Sequence, residues 1–213
     1  MKKMFLLILL AVMFALSACT GTGPRGPVDA EEISALERIQ RKLVDLENFR
    51  AIATVEYRSN RGSNVYETMQ HARITGEYRV EVTGPEHVSG SVTINDGKNI
   101  YQFNSRVNGR VSLSVDEAPE RSEIFLTSFI RNYTASEEIS IHVADMEEGV
   151  RTVLEASIPG EHPYLSIARL WVDNESLMPV KLVIFDAEET ERIIVTYHVF
   201  EYNVEMSDAL FTV

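Results

Sequence analysis

The chain has 213 residues, of which 45% are apolar and 24% are charged, and its formal net charge is −12. A chain of this length and composition can bury one hydrophobic core, which excludes a disordered acidic segment. Acidic residues outnumber basic ones by 32 to 20, so no positive field is available for binding nucleic acid. The single cysteine excludes an internal disulfide and any metal site built from paired cysteines.

Residues 1–18 have the pattern of an export signal peptide. Two lysines precede an apolar run, residues 4–16, which is shorter than the roughly 20 residues that a permanent membrane-spanning helix needs. The run ends in a segment that resembles a bacterial lipobox, made of Leu16, Ser17, Ala18 and Cys19. This resemblance implies cleavage before Cys19 and attachment of a diacylglyceryl group to its thiol. The alternatives are an uncleaved anchor and an ordinary secretory signal with an incidental cysteine.

A tether is expected to follow the cleavage site. Removal of residues 1–18 takes away two lysines and shifts the formal charge from −12 to −14. Anionic headgroups should repel so acidic a domain within a Debye length of about 8 Å, whereas acyl chains such as palmitate hold it at about 0.8 kcal/mol per buried CH₂. Residues 19–28 are rich in Gly and Pro and predict a flexible linker. We therefore expect a domain anchored through diacylglyceryl-Cys19 at the extracytoplasmic face of the cell membrane.

Residues 29–213 are predicted to form one mainly β (α+β) domain. Apolar residues recur every three or four positions from Asp29 to Asn48, which predicts an amphipathic helix. After Phe49 the period changes to two, and short links predict roughly ten strands paired as antiparallel hairpins. The links carry turn residues, among them Asn60-Arg61-Gly62, Gly84-Pro85, Asp96-Gly97, Asn108-Gly109 and Asp173-Asn174.

A second helix is predicted from Phe125 to Tyr133, with Ser122 as its N-cap, because apolar residues there repeat with helical spacing. A sheet of hairpins has to cover its apolar face, and the two helices provide the cover. We therefore predict a strongly curved antiparallel sheet that forms an open half-barrel with helices packed in the concave side. Within it, the Asp96-Gly97 hairpin is expected to bring Ile94 and Ile100 close together.

Catalytic chemistry has no support in the sequence. The motifs of zinc peptidases, serine hydrolases, β-lactamases and nucleotide-binding proteins are missing, and the five histidines are scattered. Paired acidic residues such as Glu147-Glu148 adjoin turns, which fits solvated loops better than calcium sites. We therefore predict no catalytic residue, no metal site, no cofactor and no enzyme activity. A metal site assembled from separate strands stays open as an alternative.

The aromatic side chains leave two interpretations of the concave face. Most of the 18 aromatic residues must be core, but the face can either close on the helices or leave an apolar cleft for acyl chains. For protein partners, exposed aromatic residues and arginines near strand edges are the natural anchors. The candidates are Arg79, Tyr101 and Trp171, and the alternative for each is ordinary packing on or in the sheet.

Several segments, taken in their order along the chain, resemble the LolA/LolB superfamily. Within it, the sequence is most similar to the clostridial germination lipoproteins of the GerS type. Besides the lipobox and both predicted helices, the resemblance rests on Tyr78-Arg79-Val80-Glu81-Val82, the segment Thr93 to Lys98, Leu154 to Gly160, Leu170-Trp171-Val172-Asp173 with Met178-Pro179, and the ending Phe200 to Phe211. It implies an open half-barrel over residues 29–213.

The superfamily resemblance implies three uses of the scaffold: carrying lipoproteins, sensing them in an anti-sigma regulator, and supporting the amidase that marks spore cortex. The GerS-type similarity favours the last. It implies a non-enzymatic envelope lipoprotein, in a cell or spore-envelope membrane, that binds an N-acetylmuramoyl-L-alanine amidase for germination. The alternative is a LolA/LolB-like carrier or acceptor that binds lipid or lipoprotein acyl chains in its concave face. A soluble carrier lacks an acylated cysteine, whereas an outer-membrane acceptor keeps one.

Overall fold

The structure, a computed structural model, describes residues 30–104, 107–115, 122–136, 139–146, 149–160 and 162–213. The predicted signal peptide of residues 1–18, with Leu16, Ser17 and Ala18, lies outside the described residues. The same is true of Cys19 and the predicted tether of residues 19–28. Residues 31–213 cluster into one structural unit.

The described chain contains two α-helices and eleven strands. The helices are α1 (Ala30–Val44) and α2 (Leu126–Ala135). The strands are β1 (Asn48–Ser59), β2 (Gly62–Arg73), β3 (Tyr78–Gly84), β4 (Ser91–Asn95), β5 (Asn99–Asn104), β6 (Val107–Ser114), β7 (Ile139–Met146), β8 (Gly149–Ser157), β9 (Ile167–Asp173), β10 (Pro179–Phe185) and β11 (Glu191–Tyr202). Short 3₁₀ helices span Ser122–Ile124 and Asp208–Phe211.

All eleven strands belong to one antiparallel sheet in the order β6-β5-β4-β3-β2-β1-β11-β10-β9-β8-β7. Two meanders, β1 to β6 and β7 to β11, meet where β1 pairs with β11. No described strand joins β6 to β7, so the sheet is open and these two strands are its edges. The predicted fold class, a mainly β open half-barrel with helices packed on one side, is confirmed.

Both helices pack on one face of the sheet, which we call the concave face. Helix α1 buries Ile39 and Leu43 there, as its apolar spacing predicts. The strands contribute alternate residues, as a period of two requires. These inward residues include Ala51, Ala53, Val55, Leu154, Leu170, Leu182 and Val195. The opposite, convex face carries smaller apolar clusters, one of which packs under the C-terminal 3₁₀ helix through Phe211.

Three local predictions were wrong. Asn108-Gly109 is not a turn, because both residues lie inside β6 and Gly109 does not adopt a left-handed φ. Ser122 is not the N-cap of α2, since that position belongs to Phe125 and has no side-chain cap. Ile94 and Ile100 are not neighbours on one face. The hairpin pairs Ile94 with Tyr101, which places the two isoleucines on opposite faces.

Candidate functional site

Helix α2 fills the part of the concave face that it covers. The N-cap residue Phe125 and the helical residues Leu126, Phe129 and Ile130 are between 0% and 5% exposed. The Phe125 ring packs on Tyr78 of β3 with a centroid distance of 4.4 Å. The amide of Gln40 in α1 donates a hydrogen bond of 3.1 Å to the hydroxyl of Tyr133, which ties the two helices together. The concave face therefore closes on α2 at these four side chains.

A small polar cluster is buried on the same face, beside the alanines of β1. The Thr68 hydroxyl donates to the carbonyl of Ala53 at 2.9 Å, and the Gln70 amide donates to Thr68 at 3.2 Å. Among the described residues, no group hydrogen-bonds the carbonyl oxygen of the Gln70 side chain or the hydroxyl of Tyr197. Burial raises the pKa of Tyr197. The inward positions of these residues follow from strand alternation, but their polarity gave no signal of a site in the sequence.

The structure brings two of the three predicted partner-binding residues into one row on the convex face. Arg79 of β3 pairs with Ile94 of β4, which pairs with Tyr101 of β5. With strands about 4.8 Å apart, Arg79 and Tyr101 lie about 10 Å from each other. The guanidinium of Arg110 lies over the Tyr101 ring, 5.1 Å from its centroid. Their partner-binding role stays a prediction.

Trp171 lies apart from that row. It belongs to β9, in the other meander, and six strands separate β9 from β5 in the sheet order. The ammonium group of Lys181 lies 4.4 Å from the centroid of its ring, a cation–π contact on the convex face. The three predicted residues therefore do not form one site.

A cavity of about 210 Å³ opens on the convex face beneath the segment that follows β11. Arg50 donates to Glu201 at 2.5 Å in its wall. Burial, together with the nearby charges of Arg50 and Arg79, lowers the pKa of His71 in the same wall. The cavity is lined by Arg50, His71, Glu201, Val204, Glu205, Met206 and Leu210.

Arg73 holds the C-terminal segment over this cavity. Its guanidinium donates to Asp208 at 2.6 Å and to the carbonyl of Met206 at 3.3 Å. The same group lies 4.6 Å from the centroid of the Phe211 ring. The chain end is thereby fastened to the sheet by one side chain of β2.

Asp186 organises the turn between β10 and β11. It is fully buried and accepts hydrogen bonds from the backbone of Thr190 at 2.8 Å and from Arg192 at 2.6 Å. Burial by itself would raise the pKa of Asp186, but these hydrogen bonds outweigh it and lower the pKa. The arrangement stabilises the turn, and no step of chemistry follows from it.

The described part of the chain holds no group of three or more His, Cys, Asp or Glu side chains that could bind a metal ion. No helix in that part has the length and apolarity needed to cross a membrane. The fold is a half-barrel whose sheet stays open between β6 and β7, and the short helix α2 packs on its concave face.

The chain belongs to the family of sporulation proteins described as YdcC-like, whose family model matches residues 1–211. No curated protein matches the sequence. A crystal structure of an uncharacterised conserved protein from Thermus thermophilus shares the fold. It is 14% identical, with a TM-score of 0.50, over 84% of this chain and 91% of that one.

Two further solved structures are similar to the chain. The GerS lipoprotein in complex with the CwlD amidase, from Clostridioides difficile, is 27% identical over 85% of this chain and 100% of that one, with a TM-score of 0.48. A LolA superfamily protein from Nitrosomonas europaea is 15% identical over 84% and 96%, with a TM-score of 0.45. The predicted resemblance to LolA/LolB-like and GerS-type lipoproteins is confirmed.

Proposed function

We propose that this protein is a non-enzymatic lipoprotein that binds a cell-wall amidase and supports its activity in spore formation and germination. The observation that carries the proposal is the packing of α2 on the concave face, where Phe125, Leu126, Phe129 and Ile130 take the space that a carried acyl chain would need. A scaffold packed in this way has its surfaces and strand edges left for contact with another protein.

The choice of partner rests on the family and on the sequence resemblance. The family is one of sporulation proteins, and the segments described above resemble GerS-type lipoproteins. The GerS lipoprotein is itself known in complex with the CwlD amidase. For this chain, the corresponding partner is an N-acetylmuramoyl-L-alanine amidase at the outer face of a membrane.

Binding can support an enzyme without adding a catalytic group. A protein that binds only the folded, active form of the amidase stabilises that form by RT ln(1 + [L]/Kd), about 2.7 kcal/mol when its concentration is 100 times Kd. A membrane anchor on Cys19 raises the local concentration of the binding protein at the site where the amidase works. The anchor and the binding domain therefore both increase the fraction of amidase that is held in its active form.

Co-purification tests the amidase. The full chain is co-expressed with the sporulation amidase of the same organism, and the complex is isolated through a tag on the amidase. We expect the two proteins to elute together in a fixed ratio, and we expect spores that lack the lipoprotein to lose amidase-dependent cortex modification. Failure to co-purify, combined with normal cortex modification in the deletion strain, would refute the proposal.

Metabolic labelling with palmitate tests the anchor separately. The wild-type chain is expected to incorporate the label and to sediment with membranes. A Cys19→Ser variant is expected to lose the label, and a Thr22→Ser variant serves as the matched control because it leaves the lipobox and the thiol in place. Equal labelling of the wild-type chain and the Cys19 variant would exclude this cysteine as the lipidation site.

The alternative function is that of a LolA/LolB-like carrier or acceptor of acyl chains. One observation favours it: Gln70 and Tyr197 have buried polar atoms on the concave face that find no partner among the described residues, and an ester or amide group of a lipid could meet them there. Native mass spectrometry of the purified chain discriminates between the two functions. A stoichiometric bound lipid supports the carrier, and a lipid-free mass supports the packed scaffold.

A further inference from the structure

The two edges of the sheet differ in the side chains that they expose. An edge strand presents unpaired N–H and C=O groups, and native proteins protect such edges with charges, prolines or bulges. In the sequence, acidic pairs stand beside both edge strands: Glu137-Glu138 and Glu147-Glu148 flank β7, and Asp116-Glu117 follows β6 by one residue.

Strand β6 carries a bulge in its first half, where its register with β5 shifts between Phe103 and Asn104, whereas Arg110 to Ser114 pair with β5 without interruption. Its sequence, VNGRVSLS, contains no proline and a single charged residue, Arg110. Its concave side exposes Val111 at 56% and Leu113 at 43%, larger fractions than the 38% of Val143 on β7. Ile141 of β7, by contrast, packs against the main core. An exposed, apolar and nearly uncharged edge strand invites another strand to pair with it.

The convex side of β6 favours a partner segment with a negative charge. Among the described residues, no carboxylate forms an ion pair with Arg110, although the chain carries 32 acidic residues. Two other arginines of the convex face are paired: Arg50 with Glu201 and Arg79 with Glu81. The guanidinium of Arg110 instead lies over Tyr101 and is exposed. A carboxylate brought in by a partner would complete this site.

We infer that β6 is the docking edge for the amidase, which adds an extended segment to the sheet as a twelfth strand. Apolar side chains of that segment lie beside Val111 and Leu113, and an acidic side chain faces Arg110. The inference rests on the proposed function and specifies its site. It also gives Tyr101 its role, since this ring supports the guanidinium that meets the partner.

Strand alternation dictates the composition of the partner segment. Because Val111 and Leu113 face one side and Arg110 and Ser112 face the other, the added strand must alternate apolar and polar residues in the same way. Main-chain hydrogen bonds supply affinity along the edge, and the charge and the apolar side chains fix the register. A segment of another pattern would bury polar groups or expose apolar ones.

Site-specific photo-cross-linking tests the edge in the full chain. A benzophenone amino acid replaces Ser112 of β6 in one variant and Ser140 of β7 in the other, since both serines are exposed on edge strands. Each variant is co-expressed with the sporulation amidase and irradiated. We expect a cross-link to the amidase from position 112 and none from position 140. The linked amidase peptide is expected to be extended, to alternate apolar and polar residues, and to contain an acidic residue at one position.

Charge reversal provides the second measurement. Arg110→Glu is expected to weaken binding of the purified amidase at least about tenfold, while Arg110→Lys retains most of it. Lys181→Glu is the matched control, because Lys181 is also a cation over an aromatic ring on the convex face but lies far from β6. Circular dichroism of each variant shows whether the sheet is intact, and the cross-linking result does not depend on the Arg110 variants.

The outcomes separate the inference from the proposed function. If the amidase co-purifies but cross-links only from position 140, or from neither position, the docking edge is wrong and the proposed function stands. A cross-link from position 112 to a second copy of the chain also overturns the inference. Unchanged affinity of Arg110→Glu removes the predicted charge contact. If the amidase does not co-purify at all, the proposed function fails and the inference falls with it.

Discussion

Truncation of Leu126 measures whether α2 is part of the core or a lid over an open cleft. Leu126 is fully buried at the start of α2, in the same cluster as Leu170 and Leu182 of the sheet. Leu126→Ala removes three carbon groups at about 0.8 kcal/mol each, or about 2.4 kcal/mol of transfer free energy. The cavity left behind adds to this, so we expect a loss of about 3–4 kcal/mol in the free energy of unfolding.

Urea unfolding of the chain from residue 20 onwards, followed by far-UV circular dichroism, measures the loss. With an m-value of about 2 kcal/mol/M, a loss of 3–4 kcal/mol lowers the midpoint by about 1.5–2 M at constant m. Val111→Ala is the control, because Val111 is 56% exposed, and a surface change of this kind should cost less than about 0.5 kcal/mol. A loss below about 1 kcal/mol for Leu126→Ala would refute the packed concave face, since only a helix that readily leaves the sheet tolerates that truncation.

Three further predictions test other parts of the structure by urea or thermal unfolding. Tyr197→Phe should leave the free energy of unfolding unchanged or raise it by about 1 kcal/mol, because it removes a buried hydroxyl that has no partner among the described residues. Tyr202→Phe should lower it by about 1 kcal/mol, because it removes a hydrogen bond to the carbonyl of Leu177; equal effects of the two changes would contradict this. Asp186→Asn, at a buried ion pair, should lower the melting temperature clearly more than Asp208→Asn, whose carboxylate is 90% exposed. Burial lowers the pKa of His71, so the unfolded chain binds the proton more tightly than the folded one, and the free energy of unfolding decreases as the pH drops below about 6.5. His71→Gln should therefore flatten the pH dependence of the urea midpoint between pH 7 and 5. An unchanged slope would exclude His71 as the source of that dependence.

Local patterns predicted the elements because they depend on neighbouring residues. The apolar spacing of α1 identified Ile39 and Leu43 as core, and alternation identified the inward side of most strands. The turn at Asp96-Gly97 was predictable for the same reason. Gly97 adopts a φ of +88°, and the Asp96 carboxylate accepts hydrogen bonds from the backbone N–H groups of Lys98 and Asn99.

The central pairing was beyond the sequence because it joins distant residues, and the register of each hairpin was beyond it because the geometry of the turn decides the register. Nothing local indicates that β1 pairs with β11, or that Ile94 faces Tyr101 and not Ile100. Asn108-Gly109 was misassigned because the same dipeptide fits a turn and an edge strand, and only the partner strand decides between them. The split of Trp171 from Arg79 and Tyr101 follows from the strand order, which no spacing in the sequence encodes.

The ribosome completes β1 early and β11 last, yet these two strands lie side by side in the middle of the sheet. The first meander must therefore wait with one long flank unpaired until nearly the whole chain has emerged, and closure over so large a sequence separation is slow. A nonsense mutation that removes β11 would leave two separate sheets instead of a trimmed one. Truncated products of this gene should consequently be substrates for quality-control proteases even though most of their sequence is intact.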